Sequence, residues 1–240
     1  MKVMSKLSAA ALVALSFAGS AMAADGLTVS GDVHGTTAYQ FRGEQFSAGE
    51  PSLGAKVTAA HTSGLYGSVH ADTIKLTGGD NSNQVQGGLT AGYTTDLGHG
   101  IKVDGGVSRH VFGGRDSVSD LSFSEAFVGA SFQGASLKVA SVVESAKADI
   151  PGFSRGDTYG ELGYTHQFGK LSVGGDVGYR WLNNTNGGAR DGLALAQVRA
   201  SYALNDQVDV SVTHQFAGDD AFGERASGTH KTSVKLGYRF

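Results

Sequence analysis

Apolar and polar residues alternate along most of the chain, a pattern typical of β-strands with one apolar face. In the first such segment Leu27, Val29 and Val33 share one phase, and Asp32 and His34 fall in the other. Twelve segments follow this pattern, at 27–41, 51–61, 65–75, 84–95, 101–112, 121–132, 135–144, 157–167, 171–181, 192–204, 208–216 and 229–240. The pattern therefore predicts an all-β chain of twelve strands, with ten or fourteen as the open alternatives.

One segment does not show its phase. At 121–132 the apolar residues Phe127 and Val128 are adjacent, so either of them fits the apolar face.

The connections between the segments alternate in length. The short ones are His61–Gly64, Asp96–Gly100, Gln133–Gly134, Gly169–Lys170 and Asn205–Gln207. The longer, polar ones span 42–50, 76–83, 113–120, 145–156, 182–191 and 217–228. Short periplasmic turns and longer external loops are the pattern of outer-membrane barrels. The sequence thus predicts a single antiparallel transmembrane β-barrel with both chain ends in the periplasm.

The placement of charged residues separates a membrane barrel from a soluble β-sandwich, which also alternates. In the apolar phase the charges are Arg109 and Lys75, both near strand ends. A basic residue facing lipid at the midplane costs about 2–4 kcal/mol and less near the interfaces. Charges near mid-strand fall in the opposite phase, at Asp32, Lys56, Asp72, Asp104, Glu161, Asp176, Arg199 and Lys235. An apolar exterior and a polar lumen explain both observations.

Aromatic residues near both ends of the segments predict belts at two membrane interfaces. Those near the longer loops are Tyr39, Phe41, Phe112, Trp181 and Phe216. Those near the short turns are Tyr93, Tyr164, Tyr202, Tyr238 and Phe240.

The first 23 residues have the features of a secretory signal peptide. Two lysines, an apolar run over Leu7–Gly19 and the small residues of Ala21–Ala23 appear in that order. We expect a signal peptide at 1–23 and a barrel domain at 24–240. Beyond the signal no run of 18 apolar residues occurs, so a helical membrane protein is excluded.

Charge and cysteine content exclude further classes. Removing the two signal-peptide lysines from the 19 basic residues leaves 17, against 22 acidic ones, which provides no basic surface for nucleic acid. The absence of cysteine excludes a disulfide framework and a thiolate zinc site.

The stretch "TTAYQFRGEQFSAGEPSLGAKVTAAHTSGLYGSV" resembles the start of the TorF-type porin family. The likeness lies in Tyr39-x-Phe41-Arg42-Gly43, in Pro51 with Leu53, and in Ser63-Gly64-Leu65-Tyr66. It implies a porin barrel in the Gram-negative outer membrane. The final strand "HKTSVKLGYRF" resembles the signal that the barrel insertion machinery reads, with Phe240 as its last residue.

If the chain is a porin, its lumen is the candidate functional site. The expected pore-lining residues are Asp32, His34, Arg42, Lys56, His70, Asp72, Asp104, Glu161, Asp176, Arg180, Arg199 and Lys235. Inward charges set ionic selectivity, and the acidic excess at mid-height favours a mild cation preference. Internal salt-bridge ladders are the equally open alternative. We expect passive diffusion of small hydrophilic solutes, with the lipid bilayer and lipopolysaccharide as partners.

Two other functions stay open, a rim hydrolase and a non-conducting structural or adhesive barrel. For a hydrolase, His214 and His230 lie near the external ends of neighbouring strands, with Ser227 and Ser233 close in sequence. No nucleophile elbow, zinc-protease motif or phosphate loop occurs. We therefore expect neither an enzyme nor a cofactor. The acidic runs at 79–83 and 218–225 lack EF-hand spacing, so they predict solvated loops and no metal site.

Overall fold

Nearly all regular structure in the computed structural model is β-strand. It describes residues 22–76, 84–114, 116–147, 150–217 and 230–240. The strands are β1 (Met22–Ala24), β2 (Leu27–Thr36), β3 (Gln40–Phe41), β4 (Glu44–Gln45), β5 (Ser52–His61), β6 (Leu65–Ile74), β7 (Gln84–Gly98), β8 (Ile101–Gly113), β9 (Phe123–Phe132), β10 (Ala135–Ser145), β11 (Thr158–Phe168), β12 (Leu171–Trp181), β13 (Gly192–Ala203), β14 (Val208–Ala217) and β15 (Lys231–Arg239). A short helix α1 (Asp116–Ser119) and a 3₁₀ turn (Asn186–Gly188) lie in two of the loops.

Twelve of these strands, β2 and β5 to β15, form a closed antiparallel barrel. Each pairs with its neighbour in sequence, and β2 closes the ring by pairing with both β5 and β15. The predicted fold class and strand count are confirmed. We call the end with the five short turns the turn end, and the end with the six longer connections the loop end.

The first predicted strand is too long. It was expected to run from 27 to 41, but β2 ends at Thr36. The chain then turns into the barrel, where β3 and β4 form a separate two-stranded sheet. Residues 37–50 therefore form an inward hairpin and not a continuation of the wall. We call this segment the lumen hairpin.

The outer wall of the barrel is apolar along the phase that the sequence indicates. Leu53, Leu89 and Leu162 expose 66%, 62% and 60% of their surface. In β9 the register resolves the ambiguous phase, since Val128 is 55% exposed whereas Phe127 is buried. Many other large apolar side chains share this outer face, including Val69, Val107, Val111, Leu137, Val177, Val198, Val212, Val234 and Leu236.

The loop-end half of the interior holds an aromatic cluster. Its buried members are Phe46, Ile74, Phe112, Val118, Phe123, Val142 and Phe153. Three residues expected in the membrane belt belong here instead: Phe112 is 1% exposed, and Tyr39 and Phe41 pack against the cluster. Tyr39 and Phe41 leave the wall with the lumen hairpin, and Phe112 lies on the inward phase of β8.

Some sequence predictions fall on other parts of the chain. Residues 1–21 of the predicted signal peptide, the acidic runs at 79–83 and 218–225, and Ser227 lie outside the described residues.

The buried ring of Phe123 gives a test of the inward packing. Phe123→Ala should lower the free energy of unfolding by about 3–5 kcal/mol, because the ring is fully buried and leaves a cavity. The control Val128→Ala, on the outer face of the same strand, should cost about 1 kcal/mol or less. Urea unfolding of refolded protein, followed by the fluorescence of the single tryptophan, measures both. Equal losses would contradict the assigned phase of β9.

Candidate functional site

The lumen hairpin reverses direction at Arg42 and Gly43. Both residues have positive φ, 50° and 92°. Positive φ at both central residues is the requirement of a type I′ turn, which the right-handed twist of two-residue hairpins favours. The β3–β4 pairing and a hydrogen bond from the Phe46 amide to the Tyr39 carbonyl, 2.9 Å, complete the hairpin.

The tip of the lumen hairpin is bound to the far wall. Gln215 Nε2 of β14 donates to the Gly43 carbonyl at 2.6 Å, and Arg180 Nη2 of β12 donates to the Arg42 carbonyl at 2.7 Å. A Cβ atom on Gly43 would overlap the carbonyl oxygen of Ala194 in β13. The hairpin thus spans the lumen, and glycine is the residue that fits at its tip.

Charged side chains hold the same tip. Arg42 Nη2 lies 2.5 Å from Glu125 Oε2, and the other Glu125 oxygen lies 3.2 Å from His110 Nε2. The Arg42 and Glu125 side chains are 13% and 2% exposed, so this ion pair is buried. The Arg42 guanidinium also faces the ring of Tyr159 at 4.8 Å and that of Phe41 at 5.1 Å.

Glu44 forms the second charged contact of the hairpin. Its Oε1 lies 3.7 Å from Arg180 Nη1. Burial raises the pKa of the Glu44 carboxyl above its ordinary value, and the positive charges of Arg180 and Lys231 offset part of that rise.

Aromatic packing and one tyrosine secure the base of the lumen hairpin. The Phe46 ring packs against Phe41 at 5.8 Å and edge-on to Phe112 at 5.6 Å. The Tyr39 hydroxyl donates to Gln86 Oε1, and burial raises the pKa of that hydroxyl. Apolar and polar contacts together fill the loop-end half of the barrel.

The side of the lumen formed by β2 and β6 carries a carboxylate–histidine–carboxylate chain. His34 Nδ1 lies 2.9 Å from Asp32 Oδ2, and His34 Nε2 lies 3.0 Å from Asp72 Oδ1. His70 lies next to Lys56 in the sheet register, with its ring 6.2 Å from that of His110. Among the described residues no group of three or more His, Cys, Asp or Glu is arranged to hold a metal ion.

The turn-end half of the lumen contains a cavity of about 340 Å³. It is lined by Asp32, Thr165, Gln167, Lys170, Ser172, Gly174, Arg199, Ser201, Ala203, Asp209, Lys235, Gly237 and Arg239. Two of the expected pore-lining basic residues, Arg199 and Lys235, thus meet at this cavity.

The remaining expected lumen residues also occupy inward positions of the wall. Asp104 accepts from the Tyr66 hydroxyl at 3.3 Å, and Glu161 accepts from the Tyr159 hydroxyl at 2.7 Å. Asp176 lies 2.8 Å from Gln197 Nε2 and 3.5 Å from Arg199 Nη2. Arg42 and Arg180 are not at an open mouth, because Arg42 lies at the tip of the lumen hairpin, paired with Glu125, and Arg180 binds that tip from the wall.

Sequence reasoning missed several interior residues. Glu125, His110 and Gln215 contact the lumen hairpin or its partners but were not predicted. The signal for Glu125 was present: once Val128 is assigned to the outer face, alternation places Glu125 inward. The expected belt residues Tyr93, Tyr164, Trp181, Tyr202 and Phe216 are between 40% and 53% exposed on the outer face.

The histidines considered for a hydrolase lie outside the barrel. The rings of His214 and His230 stack with centroids 5.6 Å apart, and His214 Nδ1 is 2.8 Å from Thr232 Oγ1. Ser233 pairs with Thr213 on the inward phase, as expected. The described contacts of His214 include this hydroxyl and aromatic rings, with no carboxylate or amide to orient the imidazole.

In the described part of the chain, no helix is long and apolar enough to cross a membrane.

A family model for bacterial proteins of unknown function, Gcw_chp, matches residues 20–222. The chain belongs to the Gcw_chp family. A search of curated proteins finds no match to this Gcw_chp chain.

Solved structures of outer-membrane barrels share the fold of this Gcw_chp chain. The COG4313 outer membrane channel from Pseudomonas putida F1 has a TM-score of 0.56 and 12% identity, over 92% of this chain and 97% of that one. The KdgM porin, in complex with disordered oligogalacturonate, has a TM-score of 0.53 and 11% identity, over 88% and 98%. Outer membrane phospholipase A from Escherichia coli has a TM-score of 0.50 and 16% identity, over 88% and 92%. Identities this low show a shared barrel fold, which resembles that of Gram-negative outer-membrane proteins.

The contact between Gly43 and the far wall can be tested with a matched pair of glycines. Gly43→Ala should release the lumen hairpin, because the added methyl group overlaps Ala194, and amide protection over 37–50 should fall at least about tenfold. Gly49→Ala is the control, since Gly49 also has positive φ but its nearest neighbour is a flexible Gln45 side-chain atom at 3.6 Å. Hydrogen exchange measures both variants. An equal loss of amide protection in the two variants would mean that backbone strain alone, and not the overlap with Ala194, causes the loss in Gly43→Ala.

The raised pKa of the Glu44 carboxyl predicts how attachment of the lumen hairpin to the wall depends on pH. Because its pKa is higher in the docked state than the ordinary 4.5, docking favours the protonated form. Protection over 37–50, corrected for intrinsic exchange, should be greatest below pH 4.5 and should decrease as pH rises through the docked pKa. Glu44→Gln should remove this component of the pH dependence. An unchanged pH profile in the variant would show that another group is responsible.

Proposed function

We propose that this Gcw_chp chain is an outer-membrane channel for passive diffusion of small hydrophilic solutes. The observation that carries the proposal is the division of the wall, with large apolar side chains outside and charged ones inside. An apolar exterior of this extent suits lipid, and closure leaves no unpaired strand edge in the hydrocarbon. The fold shared with the COG4313 channel and the KdgM porin supports the same function.

The orientation and location complete the proposal. Both chain ends would lie in the periplasm, with the turn end, and the six longer connections would face lipopolysaccharide. Export by the signal peptide 1–23 and recognition of Phe240 by the insertion machinery belong to the same proposal, as does the TorF-type porin resemblance.

The lumen hairpin determines how such a channel would open. It spans the loop-end half of the lumen, so solute passage requires the hairpin to leave its contacts with Glu125, Arg180 and Gln215. We therefore infer a channel with a low basal conductance that increases when the hairpin is released.

Ionic selectivity depends on the whole set of inward charges. Arg42 and Arg180, which the sequence predicts in the lumen, and Arg239, which it does not, add positive charge to a lumen that was expected to be mainly acidic at mid-height. Mild cation preference remains the prediction for an open lumen. Its measurement is the reversal potential across a salt gradient, where an anion-selective value would contradict it.

Conductance of refolded protein in planar bilayers tests the channel. Removing one partner of a buried ion pair costs about 3–5 kcal/mol, so Arg42→Ala should raise the open fraction at least about tenfold. Arg109→Ala is the control, because Arg109 is an outward arginine whose ion pair with Glu144 does not contact the hairpin. Absence of conductance in wild type and in Arg42→Ala would overturn the channel function. Equal effects of the two variants would overturn the role of the hairpin.

A rim hydrolase is the second candidate, supported by the His214–Thr232 contact and the fold shared with phospholipase A. We favour a barrel without enzymatic activity, because the described contacts of His214 include no orienting carboxylate or amide. Hydrolysis of phospholipid esters by refolded protein, lost in His214→Ala, would reverse this preference. Absence of both conductance and hydrolysis would favour a structural or adhesive barrel.

A further inference from the structure

The turn-end cavity has one wall built from two rows of polar side chains. The sheet register aligns the first row across five strands, as Gln167, Ser172, Ser201, Ser211 and Lys235. The second row is Thr165, Gly174, Arg199, Thr213 and Ser233. Three hydroxyl residues of these rows, Thr165, Ser172 and Ser201, line the cavity, and each row carries one basic residue that lines it as well. Two more basic residues, Lys170 and Arg239, and two acidic ones, Asp32 and Asp209, complete the charged lining.

Arg199 and Lys235 are close enough to act on one ligand group. They lie in adjacent rows and two strands apart, which corresponds to about 12 Å between their backbones in the plane of the sheet. Both side chains line the same cavity and both are long. A single carboxylate between them is therefore within reach of both charges.

The acidic groups near this cavity already have partners, whereas two of its four basic residues, Lys170 and Lys235, form no ion pair with a described residue. Asp32 contacts His34, Asp176 contacts Gln197 and Arg199, and Asp209 lies 3.3 Å from Arg239. Within the described part of the chain, no carboxylate forms an ion pair with Lys235. Lys170 Nζ donates to the Leu204 carbonyl at 3.4 Å, so among the described contacts Lys235 is the cavity lysine whose ammonium group makes no direct contact and can act on a ligand.

The shape and composition of the cavity limit the ligand further. Its volume of about 340 Å³ lies at the small end of the range of about 300–1,000 Å³ for small-molecule sites. No aromatic side chain lines it, so no apolar surface selects a hydrophobic solute. Serine and threonine hydroxyls donate and accept, and can therefore bind a polyol.

We propose that the turn-end cavity binds a small polyhydroxylated carboxylate, about the size of one sugar unit, with its carboxylate between Lys235 and Arg199. Serine and threonine hydroxyls of the two rows bind the ligand hydroxyls. This inference extends the proposed channel function by naming the solute class, and it places the binding site on the periplasmic side of the lumen hairpin. An anionic solute can bind at this site even though the open lumen weakly prefers small inorganic cations.

Calorimetric titration of the refolded full chain in detergent at low salt tests the site. The probes are gluconate, sorbitol and glucamine, which share an open-chain six-carbon polyol and carry a negative, no and a positive charge. Gluconate should bind at least about tenfold more tightly than sorbitol, because its carboxylate forms hydrogen bonds to charged groups. Glucamine should bind most weakly, and added salt should weaken gluconate binding.

Variants locate the binding site. Lys235→Gln and Arg199→Gln should each weaken gluconate binding about tenfold while leaving sorbitol binding unchanged. Lys138→Gln is the control, because Lys138 is an inward lysine over the Phe127 ring that does not line the cavity. Its affinity for gluconate should stay within about twofold of wild type.

The outcomes separate this proposal from the channel function. Equal affinity for the three probes, no binding of gluconate, or an equal loss in Lys138→Gln would overturn the site. Gluconate binding in a protein that conducts no current would retain the site and overturn the channel. Conductance without gluconate binding would retain the channel and overturn the site.

Discussion

The barrel depends on one closing strand pair, β2 with β15, which is in register from Thr36 and Lys235 to Asp32 and Arg239. Gly31 and Phe240 exchange two backbone hydrogen bonds of 2.9 and 3.0 Å. A Cβ atom at Gly31 would overlap the Phe240 ring, so glycine allows the ring to lie against β2. Once β15 pairs with β2, every wall strand has two neighbours and no edge is left open. Each wall residue then faces either outside or inside, which divides apolar from charged side chains.

Closure also leaves an interior space that the lumen hairpin partly fills. A twelve-stranded ring encloses more space than its own side chains fill, since eight strands are the size that side chains fill completely. The hairpin fills the loop-end half with aromatic rings and a buried ion pair. Burying Arg42 and Glu125 costs desolvation energy, which their ion pair, the His110 contact to Glu125 and the rings around the guanidinium offset through hydrogen bonds and cation–π contacts. Among the described residues no such segment enters the turn-end half, which keeps its polar cavity.

The strands of the wall could be predicted from the sequence because apolar and polar residues alternate along each of them. This alternation is a local signal, and a closed barrel with an apolar outside and a polar inside requires it in every strand. Most strand boundaries agree with the prediction to within two residues, as in β6 and β12. The lumen hairpin could not be read in this way, because Tyr39 and Phe41 continue the odd-numbered apolar phase of Leu27, Val29 and Val33. They turn inward with a hairpin whose tip, Gly43, contacts Gln215 and Ala194, more than 150 positions away in the chain. The missed role of Glu125 has a different cause, the uncertain phase of its own strand.

The lumen hairpin is also a ligand that the barrel carries on its own chain. It joins the adjacent strands β2 and β5, and the ladder between those strands is complete without it. Its binding to the lumen is therefore an intramolecular association, for which short tethers give effective concentrations on the order of millimolar. Any molecule that enters from the loop end has to compete with this tethered occupant. A weakly bound hairpin would suffice to keep the loop end filled against dilute solutes, and it would return quickly after each opening.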